Sequence, residues 1–243
     1  MDWSHLSTKL FSVVYYRFFL KHCYLCRQPS SSTLCTWCQP LLDTKDDRCS
    51  GCGTKGEFLS LCGKCQSSKR PWQSCLVATD YESTNSHLIR AAKFHNQHHY
   101  FRIYSDILAQ KICEHYGEHL PTHWATVPSH INRVRERGKC SNDIVYKTLK
   151  QSLYHTIELN KPINRLYLKK QIHTAPQHQQ TRTRRLAIPS SLFQCPEQIQ
   201  GHVALIDDVM TTGSTLEACT HSLLKAGASR VDVWVFARTP ASL

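Results

Sequence analysis

Hydrophobic positions alternate between two periods along the C-terminal two thirds of the chain. "SHLIRAAKFHNQ" and "YFRIYSDILAQKICEHY" repeat apolar residues every three or four positions, with Ile103, Ile107 and Leu108 on one stripe, and predict two helices. "HWATVPSH" predicts a short strand stopped by Pro128, "SNDIVYKTLKQSL" a helix with Ser and Asn at its cap, and "RLYLKK" a further strand. "HVALID" is a continuous apolar strand, "STLEACTHSLLKAGA" a helix ending at Gly227, and "RVDVWVFA" a last strand. Strand, helix and strand joined by short connections require a right-handed parallel crossover. Residues 76–243 are therefore expected to form an α/β domain whose parallel sheet is covered on both faces. Ligands of such sheets bind at the carboxyl ends of the strands, where Asp207 falls.

No such periods run through the first 75 residues. The apolar run from Leu10 to Leu20 is broken by Arg17 and falls short of the roughly 20 residues that span a bilayer. It lacks a small-residue cleavage site, so residues 1–22 are expected to form an amphipathic helix of a cytoplasmic protein without a membrane span. Thirteen cysteines follow an uneven plan. Eight form Cys-x-x-Cys pairs, Cys23/Cys26, Cys35/Cys38, Cys49/Cys52 and Cys62/Cys65, separated by eight, ten and nine residues. Each such turn aims two thiolates at one tetrahedral ion, and two turns close a structural zinc site. Residues 23–75 therefore read as a double zinc-ribbon module holding two Zn ions, with glycines beside the ligands in "CSGCG" and "CGKCQ" to turn the chain tightly. Sequential pairing, first four and last four, is the preferred arrangement; a cross-braced one, disulfides or a redox dithiol are the alternatives. Cys75, Cys113, Cys140, Cys195 and Cys219 lack ligand spacing.

Charge adds a partner class. The 243 residues are 41% hydrophobic, enough for a core, and carry a formal charge of +12, which favours polyanions over ordinary solvated surface. From Leu159 to Pro196 there is no acid, whereas Lys161, Arg165, Lys169, Lys170, Arg182, Arg184 and Arg185 are all present. Lys169, Lys170, Arg182, Arg184 and Arg185 are the nucleic-acid candidates, suited to the backbone of single-stranded DNA.

After "HVALI" come Asp207 and Asp208, then "TTGST", then a helix. A glycine flanked by hydroxyls at a helix N-terminus is an anion site, because free backbone N–H groups and the helix dipole favour a phosphate. A nucleoside-triphosphate P-loop would need a Lys after its second glycine, and none stands here.

"ALIDDVMTTGST" resembles the ribose-5-phosphate-binding signature of type I phosphoribosyltransferases. The resemblance implies that Asp207 and Asp208 hold the 2- and 3-hydroxyls of phosphoribosyl pyrophosphate, and that Thr211, Thr212, Gly213, Ser214 and Thr215 hold its 5-phosphate. The cysteine pairs, "LIRAAKF", "VPSHINRVRERG" and "HTAPQHQQTRTRR", in that order before the acidic signature, resemble the ComF family over nearly the whole chain. That family joins a zinc-binding module to a phosphoribosyltransferase domain and serves natural transformation. By the resemblance, Arg133, Arg135 and Arg137 lie where the ligand's pyrophosphate and Mg²⁺ would sit. Lys139, Cys140 and Ser141 depart from the Phe-Asn-Gln usual after "RERG". Lys93 and Gln177 occupy family positions without a role that the residues themselves define.

The expected function is a competence factor that handles incoming single-stranded DNA with other competence proteins and binds phosphoribosyl pyrophosphate or a related phosphate ligand. The alternative is an active phosphoribosyltransferase of base or nucleotide salvage. Hypoxanthine-type enzymes place a carboxylate base where this chain has Thr211, so purine deprotonation is not supported.

Overall fold

A computed structural model of the chain describes residues 22–42, 47–128, 141–157, 162–170 and 192–240. The predicted N-terminal helix, the segment with Arg133, Arg135 and Arg137, and the one with Gln177, Arg182, Arg184 and Arg185 lie outside the described residues. The chain divides into two compact units, Met1–Asp43 and Thr44–Leu243.

The first unit is built from turns around Cys23, Cys26, Cys35 and Cys38. Cys23 N–H donates to the Gln28 carbonyl at 2.8 Å, Arg27 N–H returns to the Cys23 carbonyl at 2.9 Å, and Cys38 N–H closes on the Cys35 carbonyl at 3.0 Å. A 3-10 turn, Gln39–Leu42, buries Leu42.

In the second unit, the Cys49–Cys65 loops and a short helix α1 (Gly63–Ser67) precede an α/β sheet. The strands are β1 (Cys75–Asp80), β2 (His123–Thr126), β3 (Asn164–Tyr167), β6 (Gly201–Met210) and β7 (Ala228–Arg238). A separate antiparallel pair joins β4 (Lys169–Lys170) to β5 (Phe193–Gln194). The helices are α2 (Ser83–Phe94), α3 (His99–Tyr116), α4 (Ser141–Thr156) and α5 (Ser214–Lys225).

The sheet order is β1-β7-β6-β2-β3, and all four pairings are parallel, as the crossover pattern predicts. Crossovers from β1 to β2 and from β2 to β3 run one way across the sheet, and that from β6 to β7 runs the other. Right-handedness then puts α2, α3 and α4 on one face and α5 on the opposite one. Strand alternation agrees. Val231, Val233 and Val235 of β7 cluster with Leu216, Cys219 and Leu223 of α5, whereas the Phe236 ring meets Phe101 and Tyr104 of α3. Trp234 meets Tyr116 at 5.8 Å and Trp124 of β2 at 5.3 Å on that same α3 face. With both faces covered, central strands bury successive residues, which is why Val203–Ile206 read as an unbroken apolar run.

Four details differ from the periodicity. Strand β1 takes a sheet edge beside β7 where the sequence pattern signalled only a change of composition. "RLYLKK" divides at Leu168 into β3 and β4, because its last residues leave the parallel sheet to pair with β5. Of the expected stripe on α3, Ile103 and Leu108 are buried, together with Phe101, Tyr104 and Ile112, whereas Ile107 is only half-buried. Finally β6 does not stop at Asp207 but continues to Met210, since β7 still pairs with it there, Met210 opposite Arg238.

Candidate functional site

Strand β2 stops pairing with β6 at Ile206, while β7 follows β6 four residues further. Strand β2 is followed by α4 on one face and β6 by α5 on the other, and the carboxyl ends of these neighbouring strands are where an open α/β sheet forms its ligand crevice. Asp207 and Asp208 are the first residues of β6 past the end of β2. Their position in this crevice follows from sheet order, which the local sequence pattern does not encode.

The two carboxylates are not left facing each other alone. Asp208 alternates to the α2 face and forms an ion pair with Lys93 Nζ at 2.7 Å, both side chains being largely shielded from solvent. Asp207 Oδ1 accepts from the Asp208 backbone N–H at 2.9 Å and, at 3.4 Å, from Nδ2 of Asn142 at the start of α4. Asn142 is itself held by a 2.5 Å bond to the Val127 carbonyl, so the end of β2 fixes this donor. Burial, and next the neighbouring Asp208 charge, push the Asp207 carboxyl up to about 7, with Lys93 pulling the other way. Near neutrality the Asp207 carboxyl is therefore only partly ionised, a state that a cation or a diol would change.

The turn after β6 keeps its hydroxyls near the surface. Thr211 and Thr212 are exposed, Ser214 and Thr215 are half-buried, and Gly213 is buried with φ +87° as the N-cap of α5. That left-handed geometry suits glycine. Thr212 Oγ1 lies 2.9 Å from Ser214 Oγ and accepts the Ser214 N–H at 3.3 Å, and Gly213 offers no side chain to cap the first turn of α5. A turn of hydroxyls and glycine at a helix N-terminus is of the kind that receives an anion.

Two groups of four cysteines come together, Cys23, Cys26, Cys35 and Cys38, and Cys49, Cys52, Cys62 and Cys65, each with all sulfurs within 4.8 Å of one another. This is the sequential pairing; neither the cross-braced set nor a disulfide among these cysteines occurs. The Sγ separations of 3.6 Å for Cys26–Cys35 and 3.7 Å for Cys52–Cys62 fit the edge of roughly 3.8 Å expected for a tetrahedron with metal–sulfur bonds near 2.3 Å. Cys62 N–H points at Cys49 Sγ at 3.1 Å, a donor aimed at thiolate. In the first cluster burial raises both Cys23 and Cys38; backbone N–H groups outweigh it at Cys23, bringing it down to about 6, whereas neighbouring thiols add to it at Cys38, pushing it up to about 12. Cys23 and Cys38 thus ionise unevenly by themselves, whereas a divalent cation binds cysteine sulfur as thiolate. The residues fit a metal in both places.

Lys169 and Lys170 are exposed on β4. Arg165 is less available than its place in the basic stretch suggests: it pairs with Asp143 and lies 4.3 Å and 4.8 Å from the rings of Tyr146 and Tyr167. Sequence reasoning missed the roles of Asn142, Arg70 and Arg238 near the site. For Lys93 a signal existed in "LIRAAKF", but its partner Asp208 becomes visible only in the fold.

A parallel α/β domain with an acidic pair and hydroxyl turn at its switch point, preceded in sequence by two four-cysteine clusters, is the class that fold and site define. No protein-family model matches the chain. The chain is similar to DNA utilization protein YhgH of Salmonella typhimurium (strain LT2), 29% identical over 225 residues, 89% of this chain and 96% of that protein. It is likewise similar to Competence protein F of Haemophilus influenzae, 26% identical over 230 residues, 91% of this chain and 98% of that one. Among solved structures it is similar to hypoxanthine phosphoribosyltransferase from Trypanosoma cruzi complexed with the product IMP, at 14% identity and a TM-score of 0.39, over 59% of this chain and 75% of that one. Among the described residues no helix is long and apolar enough to cross a membrane.

Proposed function

We propose that this chain is a ComF-like competence factor whose α/β domain binds phosphoribosyl pyrophosphate, or a related phosphorylated ribose, and which handles single-stranded DNA in the cytoplasm alongside other competence proteins. The observation that carries the ligand half is the placing of Asp207 and Asp208 beside the Thr211–Thr215 turn where β2 and β6 diverge. The carboxylates would accept the ribose 2- and 3-hydroxyls and the turn would take the 5-phosphate. Arg133 and Arg137 would meet the pyrophosphate with Mg²⁺, and the two four-cysteine clusters would hold Zn. The names of the homologues support the DNA half.

Calorimetric titration with phosphoribosyl pyrophosphate tests the site. Asp207→Asn with Asp208→Asn should weaken binding at least tenfold, and unchanged affinity would remove the ribose role. The intact acidic pair also favours a second reading, transfer of the phosphoribosyl group, in which an acceptor bonds to the anomeric carbon as pyrophosphate leaves. Release of pyrophosphate with a panel of bases and oligonucleotides would establish it; none would leave a binding protein. For DNA, fluorescence anisotropy with a labelled oligonucleotide should show affinity falling steeply with salt. Lys169→Ala with Lys170→Ala should flatten the log–log slope by about 1.4 if both lysines contact phosphates. Binding insensitive to salt would contradict the DNA reading.

A further inference from the structure

The hydroxyl turn is braced from behind by the second cysteine cluster. Arg238, 8% exposed at the end of β7, donates from Nε to the Cys52 carbonyl at 3.1 Å. Its Nη1 lies against the carbonyls of Met210 at 3.3 Å, Thr239 at 2.8 Å and Thr211. One buried guanidinium thus joins a cysteine knuckle to the start of the turn, adding its donors to the Thr239 N–H that already meets the Met210 carbonyl at 2.9 Å. A second bridge runs beside it. Trp72 donates Nε1–H to the Gly51 carbonyl, inside the same knuckle, at 2.6 Å. The Trp72 ring backs Gly213, where an added Cβ would lie 3.4 Å from Cη2. Arg70 stacks 5.6 Å from the Trp72 ring centroid and pairs with Glu217 in the first turn of α5, with Nη1 3.6 Å from that same Cβ position. Arg70 and Trp72 are carried on the chain leaving Cys65, so their positions depend on how that cluster is closed.

We propose that the Cys49/Cys52/Cys62/Cys65 site is the back wall of the phosphate turn, with Arg238 and Arg70 as positioning residues, so that metal occupancy there and phosphate-ligand binding are coupled. A metal on the four sulfurs fixes the Cys52 carbonyl and the Arg70–Trp72 strap, and through them the amides of Gly213–Thr215. By reciprocity a ligand that orders the turn tightens the hold on the metal by the same factor. The ligand half rests on the phosphate-sugar reading above; the brace itself does not.

Hydrogen exchange read by mass spectrometry on the full chain separates the two. Relative to the metal-loaded protein, Cys62→Ser should exchange at least tenfold faster in peptides spanning residues 207–219, with α3 still protected. Arg238→Lys keeps the charge but cannot span the carbonyls, and it should show the same faster exchange with full metal content by elemental analysis. Unchanged exchange of the turn in Arg238→Lys overturns the brace, even if Cys62→Ser proves too unstable to interpret. Both variants should bind phosphoribosyl pyrophosphate at least tenfold more weakly. Saturating ligand should slow capture of metal by a chromogenic chelator at least threefold. Equal affinity in the variants overturns the coupling. Failure of the intact protein to bind the ligand overturns the phosphate-sugar reading and the coupling with it, while the exchange result still decides the brace.

Discussion

Replacing Asp207 with Asn should make the unliganded protein more stable while weakening its ligand site. Asn keeps the Oδ1 acceptor that receives the Asp208 N–H and the Asn142 amide, so no hydrogen bond is sacrificed. What it removes is a carboxylate disfavoured by burial and by Asp208, whose pKa stands at about 7 against an ordinary 3.8. At 1.36 kcal/mol per unit this corresponds to about 4 kcal/mol at most, with the whole of it expressed only above pH 7. Below pH 4 the carboxyl is protonated in both folded and unfolded chains, and the two proteins should be equally stable. Between pH 4 and 7 the unfolded chain releases its proton while the folded one retains it, so wild-type stability declines relative to the variant as pH rises. Above 7 the gap is constant. For a chain of this size a gain of 2 to 4 kcal/mol corresponds to roughly 4–16 °C in melting temperature. Thermal unfolding of both proteins from pH 4 to 8.5, without Mg²⁺, would show it. A variant less stable than wild type at pH 8, or a difference that does not vary with pH, would refute the idea that the pair is strained in the free protein for the sake of a ligand.

Asp232 titrates in the opposite sense. Burial opposes its charge, but hydrogen bonds from His202, Arg230 and Tyr116 outweigh burial and hold its carboxyl down to about 2. Its contribution is present above pH 4 and is lost as pH falls through 2; Asp232→Ala should cost about 3–5 kcal/mol near neutrality by stranding those donors, measurable by denaturant unfolding. Gly53→Ala should destabilise by about 2–4 kcal/mol, since φ is +67° and the new Cβ would sit 2.2 Å from Val77 Cγ2; a neutral effect would mean that Gly53 does not lie against Val77 of β1. Elemental analysis of protein purified without chelator should give two Zn per chain, and Cys49→Ser one. Fewer than about 1.5 in the wild type would argue against two sites.

The sequence by itself determined what is local. A Cys-x-x-Cys turn aims its two sulfurs whatever surrounds it, so both clusters were legible from spacing. Asp207 through Thr215 are contiguous, so the acidic pair and its hydroxyl turn could be read before any fold was known. Periodicity located α2 to α5 and the two central strands, because burial on one or both faces writes itself into successive residues. Tertiary structure decided what depends on strand order. Which cysteine pairs close on each other is decided by how their loops fold together, and that Lys93 on α2 meets Asp208 and Asn142 lies beside Asp207 follows from how crossovers of fixed hand lay β6 between β7 and β2. Arg238 shows the limit most clearly. In sequence it is one more cation near the C-terminus, yet parallel pairing of β7 with β6 sets it beside Met210, where a buried guanidinium can reach the Cys52 carbonyl and the turn together.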